Sequence, residues 1–437
     1  MNHPTLARTR HEAVTASPFR RRRSGLMRER FGFIASALAA FLFVGCPAPP
    51  RYAPTSRLAP RPGELPVRIG LAEATGSVRI EADQGLRLVA GETVRLAPSF
   101  ALSPSRGHIA VNGARTPHKR VTCFASTPLS CNGVPYRGQL EVSAVEGALR
   151  VVNIVGLEEY LAGVVPAEIG RLSTREIEAV KAQAIAARTY TVANRGRRRA
   201  QGFDLYADVR DQVYMGVRGE HTVATRAIEQ TRGQIVTYRG EPIQAFFHST
   251  CGGFTASIED VWNADPLPYL KGVPDRDSHG FHCETSRHFR WSEEYSPGVL
   301  RTILSENLFR EVPNAPRKIG TVRKIEAPER SSSGRVRYLK VETNRGHWRV
   351  SKDRIRWALR RPVDGNPILR STYIRIFSEY DAHGSLQRVV ISGAGNGHGV
   401  GMCQWGAIGM ARKGYPAEQI LKHYYRGVTI TSMRMAD

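Results

Sequence analysis

From Gly393 to Gly401 every second residue is glycine, five in nine. Such a run has too few side chains to build a helix face or half a sheet, so its use lies in close approach of backbone to backbone or to ligand. It continues as Val400-Gly401-Met402-Cys403-Gln404-Trp405-Gly406-Ala407, which places His398, Gln404 and Trp405 at the edge of a helix start. An aromatic platform beside amide donors suits a glycan. The lysine and strand-turn-helix setting of a phosphate loop are missing. A tight bend around a core histidine accounts for the same residues without any ligand.

A second segment, Tyr160-Leu161-Ala162-Gly163-Val164-Val165-Pro166-Ala167-Glu168-Ile169-Gly170, sets one carboxylate in an apolar, Gly- and Pro-containing bend. Burial there raises a carboxyl pKa and leaves Glu168 ready as a general acid near neutral pH. The plainer alternative is a helix-terminus glutamate beside a positive dipole.

The surrounding texture predicts an α+β fold. Over residues 67–146 short apolar runs (67–69, 77–80, 86–89, 93–96, 140–142) alternate with Gly, Pro and Ser breaks, which reads as a small β-rich module. A mixed α/β domain is expected over 147–437, opening on a buried strand at 150–155. Ser173 with Glu176 forms a capping-box signature for a helix running to about Asn194. Strands are expected at 233–238, 242–247, 321–325, 337–342 and 373–377, with helices at 297–307 and 416–425.

The N-terminus differs in kind. An Arg-rich block at 20–23 with Arg28 and Arg30 precedes an apolar run from Phe31 to Gly45, the charged and apolar regions of an export signal. The run is shorter than the ~20 residues of a bilayer span. It ends at Val44-Gly45-Cys46, similar to a lipobox, so residues 1–46 are expected to be a signal with lipidation at Cys46, although Phe43 is unusual there. Plain cleavage, an uncleaved anchor and a start at Met27 are the other readings. Seven prolines in 47–66 fit an extended tether. The formal charge is +24, and residues 1–45, with eight Arg and two Glu, leave about +18 for the rest. That charge suits anionic wall polymers or membrane surfaces, and no nucleic-acid fingerprint accompanies it.

Five cysteines remain beyond Cys46. Cys123 and Cys131 flank a Pro/Ser turn and invite a local disulfide in an oxidising compartment. Cys251, Cys283 and Cys403 are an odd set, which points to a metal ligand, a free thiol or an unexpected pairing.

The segments Val180-Lys181-Ala182-Gln183-Ala184-Ile185-Ala186-Ala187-Arg188-Thr189-Tyr190, Phe247-His248-Ser249-Thr250-Cys251-Gly252-Gly253 and the run from Gly397 occur in one order. Together with Leu369-Arg370-Ser371-Thr372 and Ile420-Leu421-Lys422-His423-Tyr424-Tyr425, they resemble stage II sporulation protein D and the LytB-type amidase enhancers over roughly residues 147–437. The resemblance implies a lytic transglycosylase that cuts peptidoglycan between N-acetylmuramic acid (MurNAc) and N-acetylglucosamine (GlcNAc). Glu168 of the V-x-P-x-E motif would be its single acid/base, and Arg188, Tyr190, His248, Ser249, His398, Gln404 and Trp405 would line the site. The alternative it implies is a non-catalytic wall-binding protein that stimulates a cell-wall amidase. It also implies zinc, for which His248, Cys251, His282 and Cys283 are the candidate ligands; a Cys251–Cys283 disulfide or unpaired thiols compete with that reading. An exported envelope protein, tethered to the membrane by its N-terminal lipid, is the expected location.

Overall fold

The computed structural model describes residues 64–433. The expected signal, Cys46 and the tether up to residue 63 lie outside the described residues. Helices account for 25% and strands for 37%, in mixed sheets, so the fold class is α+β. Among the described residues no helix is long and apolar enough to cross a membrane.

The first layer is an 11-stranded sheet. Its long members, Pro66–Ala74, Val78–Ala90, Thr93–Ser105 and Ala148–Gly156, alternate buried and exposed positions where apolar residues recur every second place. The sheet does not stop at residue 146. Ala148–Gly156 lies between Pro66–Ala74 and Gln139–Val145, and Leu205–Tyr206 joins the far edge in parallel. The strand that ends the module therefore also delivers the chain into the first helix of the next core.

Cys123 and Cys131 belong to this module, and the expected disulfide between them is absent: both are free, buried thiols. Cys123 pairs with Leu88 and Cys131 with Ile80 on the Val78–Ala90 strand, and each packs among aliphatic side chains as a small apolar residue. Burial pushes their thiols up to about 12 and about 11, well away from the reactive thiolate.

The second core is organised around the helix Ile177–Ala193. The capping box is present, with Ser173 Oγ accepting from the Arg175 N–H and Glu176 answering from the other side. Alanine at 179, 182, 184, 186 and 187 keeps the helix thin enough to be buried on nearly every side. It packs against Leu157–Ile169, Thr222–Gln230, Gln404–Arg412 and Ala417–Tyr424. The sequence reading of 242–247 as one strand is corrected: Glu241–Pro242 pairs with Gln234–Tyr238 and Phe247–His248 with Met402–Cys403, so the stretch serves two different sheets and is not continuous.

A third core lies within 291–391, built on Pro297–Glu311 and two three-stranded sheets. This lobe opens on Trp291–Tyr295 and closes on Leu386–Gly393, which pair antiparallel with Trp291 opposite Gly393. The chain thus leaves the second core and returns to it at nearly the same place.

Arg188, expected to line a site, is fully buried instead. Its guanidinium grips Glu158 through two bonds of 2.8 and 2.6 Å and donates to the Gln234 carbonyl, while the Gly233 N–H also reaches Glu158. A side chain so enclosed ties two helices and a strand together and has no surface to offer a glycan. Removing one member strands a buried charge, so Arg188→Ala is expected to cost about 3–5 kcal/mol in denaturant titration, and Arg188→Met with Glu158→Leu to recover most of it.

Candidate functional site

Glu168 sits in the last turn of Leu157–Ile169, after Pro166 and before Gly170, whose φ of 92° ends the helix. Its Oε1 accepts from the Val213 N–H at 2.7 Å, and the Gln404 side chain bonds the same carboxyl. Among the described residues it has no ion pair. Burial pushes its pKa up to about 7, against the opposing pull of those two hydrogen bonds. At neutral pH both protonation states are therefore populated.

Gln404 reaches Glu168 because of the glycine run. The segments Phe247–His248 and Met402–Cys403 pair in parallel, Thr250 bridges Asn396, and Ala256 bridges Val400. A Cβ at Gly401, where φ is +71°, would fall on the Phe246 carbonyl, and one at Gly397 would meet the His248 side chain. Only glycine allows these strands to lie so close. Cys403 then caps the helix Gln404–Arg412, and buried Gln404 projects toward Glu168, with Gln183 at 3.4 Å on its other side.

Along the glycine crossing runs a chain of rings. Tyr190 meets Phe246 at 5.9 Å, Phe246 meets Trp262 at 5.0 Å, Trp262 meets His398 at 5.0 Å and His398 meets His248 at 5.5 Å. Both nitrogens of His398 are committed: Nδ1 accepts from the Val400 N–H at 3.1 Å, so Nε2 donates to the Phe247 carbonyl at 3.0 Å. Burial holds it down to about 4, hence neutral. Buried His248 donates from Nδ1 to the Val400 carbonyl, leaving Nε2 without a partner. Both histidines therefore brace the glycine loop. Tyr190 is buried with its hydroxyl on Asp211, while Ser249 and Trp405 are half-buried and joined through the Trp405 N–H and Ser249 carbonyl. Trp262 also walls an open groove of about 580 Å³, whose lining includes Arg349, Lys352, Arg354 and Trp357.

The zinc set implied by the sequence is not assembled. His248 faces Val400 and His398, and His282 groups with Asp275 and His423. Cys251 and Cys283 do meet, at an unbonded 3.5 Å, but their companions are Asp275 and Cys403. Spacing from the His-Ser motif does not bring the two together: His248 meets Val400 and His398, whereas Cys251 meets Asp275 and Cys283. Asp275 and Trp262 had no sequence signal. Cys403 carried one as the odd cysteine of three.

An α+β protein with one shielded carboxyl held by a carboxamide over a glycine-rich crossing is the class these features define. A family model described as stage II sporulation protein matches residues 145–238, and one described as a domain of unknown function matches 276–401. Stage II sporulation protein D of Bacillus amyloliquefaciens is 30% identical over 296 residues, 64% of this chain and 75% of that protein. An uncharacterized protein of Brachyspira hyodysenteriae is 32% identical over 300 residues, 68% and 73% of the two chains. The amidase enhancer of Bacillus subtilis is 29% identical over 302 residues, 62% of this chain but 40% of that protein. The chain belongs to the stage II sporulation protein D family, which includes the LytB-type amidase enhancers.

The crossing of the two segments is testable. Gly401→Ala is expected to lower stability by about 2 kcal/mol or more, through strained backbone and overpacking. Gly107→Ala, also at positive φ but with nothing near its Cβ, should cost about 1 kcal/mol in the same thermal melts.

Proposed function

We propose that the chain is an exported, envelope-held peptidoglycan lytic transglycosylase that cleaves glycan strands between MurNAc and GlcNAc with Glu168 as sole acid/base. The observation that carries this reading is the setting of Glu168: half-buried, raised to about 7, and held by an N–H and a carboxamide rather than by a cation. A carboxyl tuned to the working pH can give a proton and take one back.

Protonated Glu168 donates to the leaving O4 oxygen as the bond from C1 breaks. The carboxylate then takes the proton of the sugar's own C6 hydroxyl, whose oxygen bonds C1 and closes the 1,6-anhydro ring. No water is consumed, and the glutamate ends as it began. The Val213 N–H and Gln404 favour the carboxylate between the two transfers. A two-carboxylate glycosidase needs a second acid across the site; this chemistry does not. The positive charge remaining beyond residue 45, about +18, suits anionic wall polymers, and Trp262 beside a groove lined by Arg349, Lys352 and Arg354 together with Glu311 and Asp353 offers a face on which sugars could stack.

A second reading follows from the relative named amidase enhancer: Glu168 would help hold the glycan while a separate amidase cuts. Mass spectrometry of peptidoglycan digests, with and without stem peptides, separates the two. The wild type should release 1,6-anhydro ends, and Glu168→Gln should do so about 10²–10⁴-fold more slowly. Absence of such ends on both substrates, with faster hydrolysis by an added amidase, would leave the enhancer.

The raised pKa also sets a stability trend. The folded state holds this proton more tightly than the unfolded chain, whose value is 4.5, so its contribution to stability is fully present below about 4.5 and is lost as pH rises through about 7. Glu168→Gln should therefore match the wild type at low pH and exceed it by roughly 1–3 kcal/mol above neutrality, as read by denaturant midpoints at both pH values.

A further inference from the structure

We infer that Cys251, Cys283, Cys403 and Asp275 hold one zinc ion, in a closed structural site that clamps the glycine crossing. All four side chains have zero exposure, and one ligand atom from each lies within 4.8 Å of every other. Cys251 Sγ stands 3.5 Å from Cys283 Sγ and 3.0 Å from Asp275 Oδ2. Bonds of about 2.0–2.3 Å to a tetrahedral zinc put neighbouring donors about 3.5 Å apart, so little adjustment is needed.

Backbone donors face two of the sulfurs. Backbone N–H groups of Cys251 and Gly406 point at Cys403 Sγ, at 3.2 and 3.3 Å, and that of Gly253 at Cys251 Sγ, at 3.2 Å. Tyr424 donates to Asp275 Oδ1 at 2.6 Å, fixing the carboxylate so that Oδ2 faces the sulfurs. Donors placed behind the ligand atoms orient a metal site and tune it. Without a metal, buried Arg335, which acts on these sulfurs and donates to the Cys251 and Phe254 carbonyls, offsets only one of the charges that three thiolates and a carboxylate would carry. With three thiolates and a carboxylate the coordination is filled, so the ion would have no open position for water or substrate.

The site ties together segments 152 residues apart, since Cys251 lies just after His248-Ser249 and Cys403 just before Gln404. The ion thus positions the carboxamide that bonds Glu168 while taking no part in the reaction. The inference stands whether Glu168 cuts glycan or only holds it, because its tests read metal rather than product.

The full-length chain, purified in detergent without chelator and under reducing conditions, should carry about one zinc per chain by mass-spectrometric metal analysis. Cobalt substitution should give tetrahedral visible bands with charge transfer of the intensity of three thiolates. Cys403→Ala and Asp275→Asn should retain less than half the zinc, whereas His248→Gln should retain all of it. Three results would each overturn the inference: a metal-free chain with a Cys251–Cys283 disulfide, a cobalt spectrum of two thiolates, or zinc loss in His248→Gln with zinc kept in Cys403→Ala. The cobalt spectrum uses the unaltered protein, so it decides the matter even where a cysteine variant fails to fold.

Discussion

The parallel contact of Phe247–His248 with Met402–Cys403 is the constraint on which the candidate site depends. It joins segments far apart in sequence, and it exists because glycines let the two backbones lie against each other. From it follow the helix start at Gln404, the carboxamide on Glu168, the bracing of His248 and His398, and the meeting of Cys251 with Cys403. Loss of that contact would leave Glu168 on its helix with the Val213 N–H as its remaining hydrogen bond.

Glu168 also shows how shielding and function pull in opposite directions. Keeping a carboxyl from water near neutral pH costs folding free energy, and the second core supplies the surplus through a helix buried on nearly all sides, while the Arg188–Glu158 pair fixes how the elements meet. That pair sits thirty residues apart along the chain and holds the Gln234 strand to both helices. It belongs to the scaffold, one layer below the chemistry.

Local patterns were legible in the sequence where their causes are local. The Ser173–Glu176 capping box and the period-two strands of the module follow from neighbours within a few residues, whereas the stretch read as a bend around Glu168 is the end of a helix that runs through Pro166 to Ile169. What could not be read depends on partners set by tertiary packing. Arg188 belongs to a recognisable motif, yet the carboxylate that claims it lies on another helix. Cys123 and Cys131 are close in sequence and near enough to act on each other, but they sit on two strands that pair with different positions of Val78–Ala90, and both serve as core residues. The four zinc ligands expected from the sequence do not come together as one group, because spacing gives the reach of a side chain and not its direction.

The lobe over 291–391 has a kinetic meaning beyond its packing. Bringing Cys251 to Cys403 closes a loop of 152 residues. Once the antiparallel pair of Trp291–Tyr295 and Leu386–Gly393 has formed, the effective loop shrinks to about 50 residues, and the entropy of closing it falls by about 1 kcal/mol. The lobe is therefore a shortcut in the search for the native crossing, and its far end can vary in length at little cost to how fast the crossing is found.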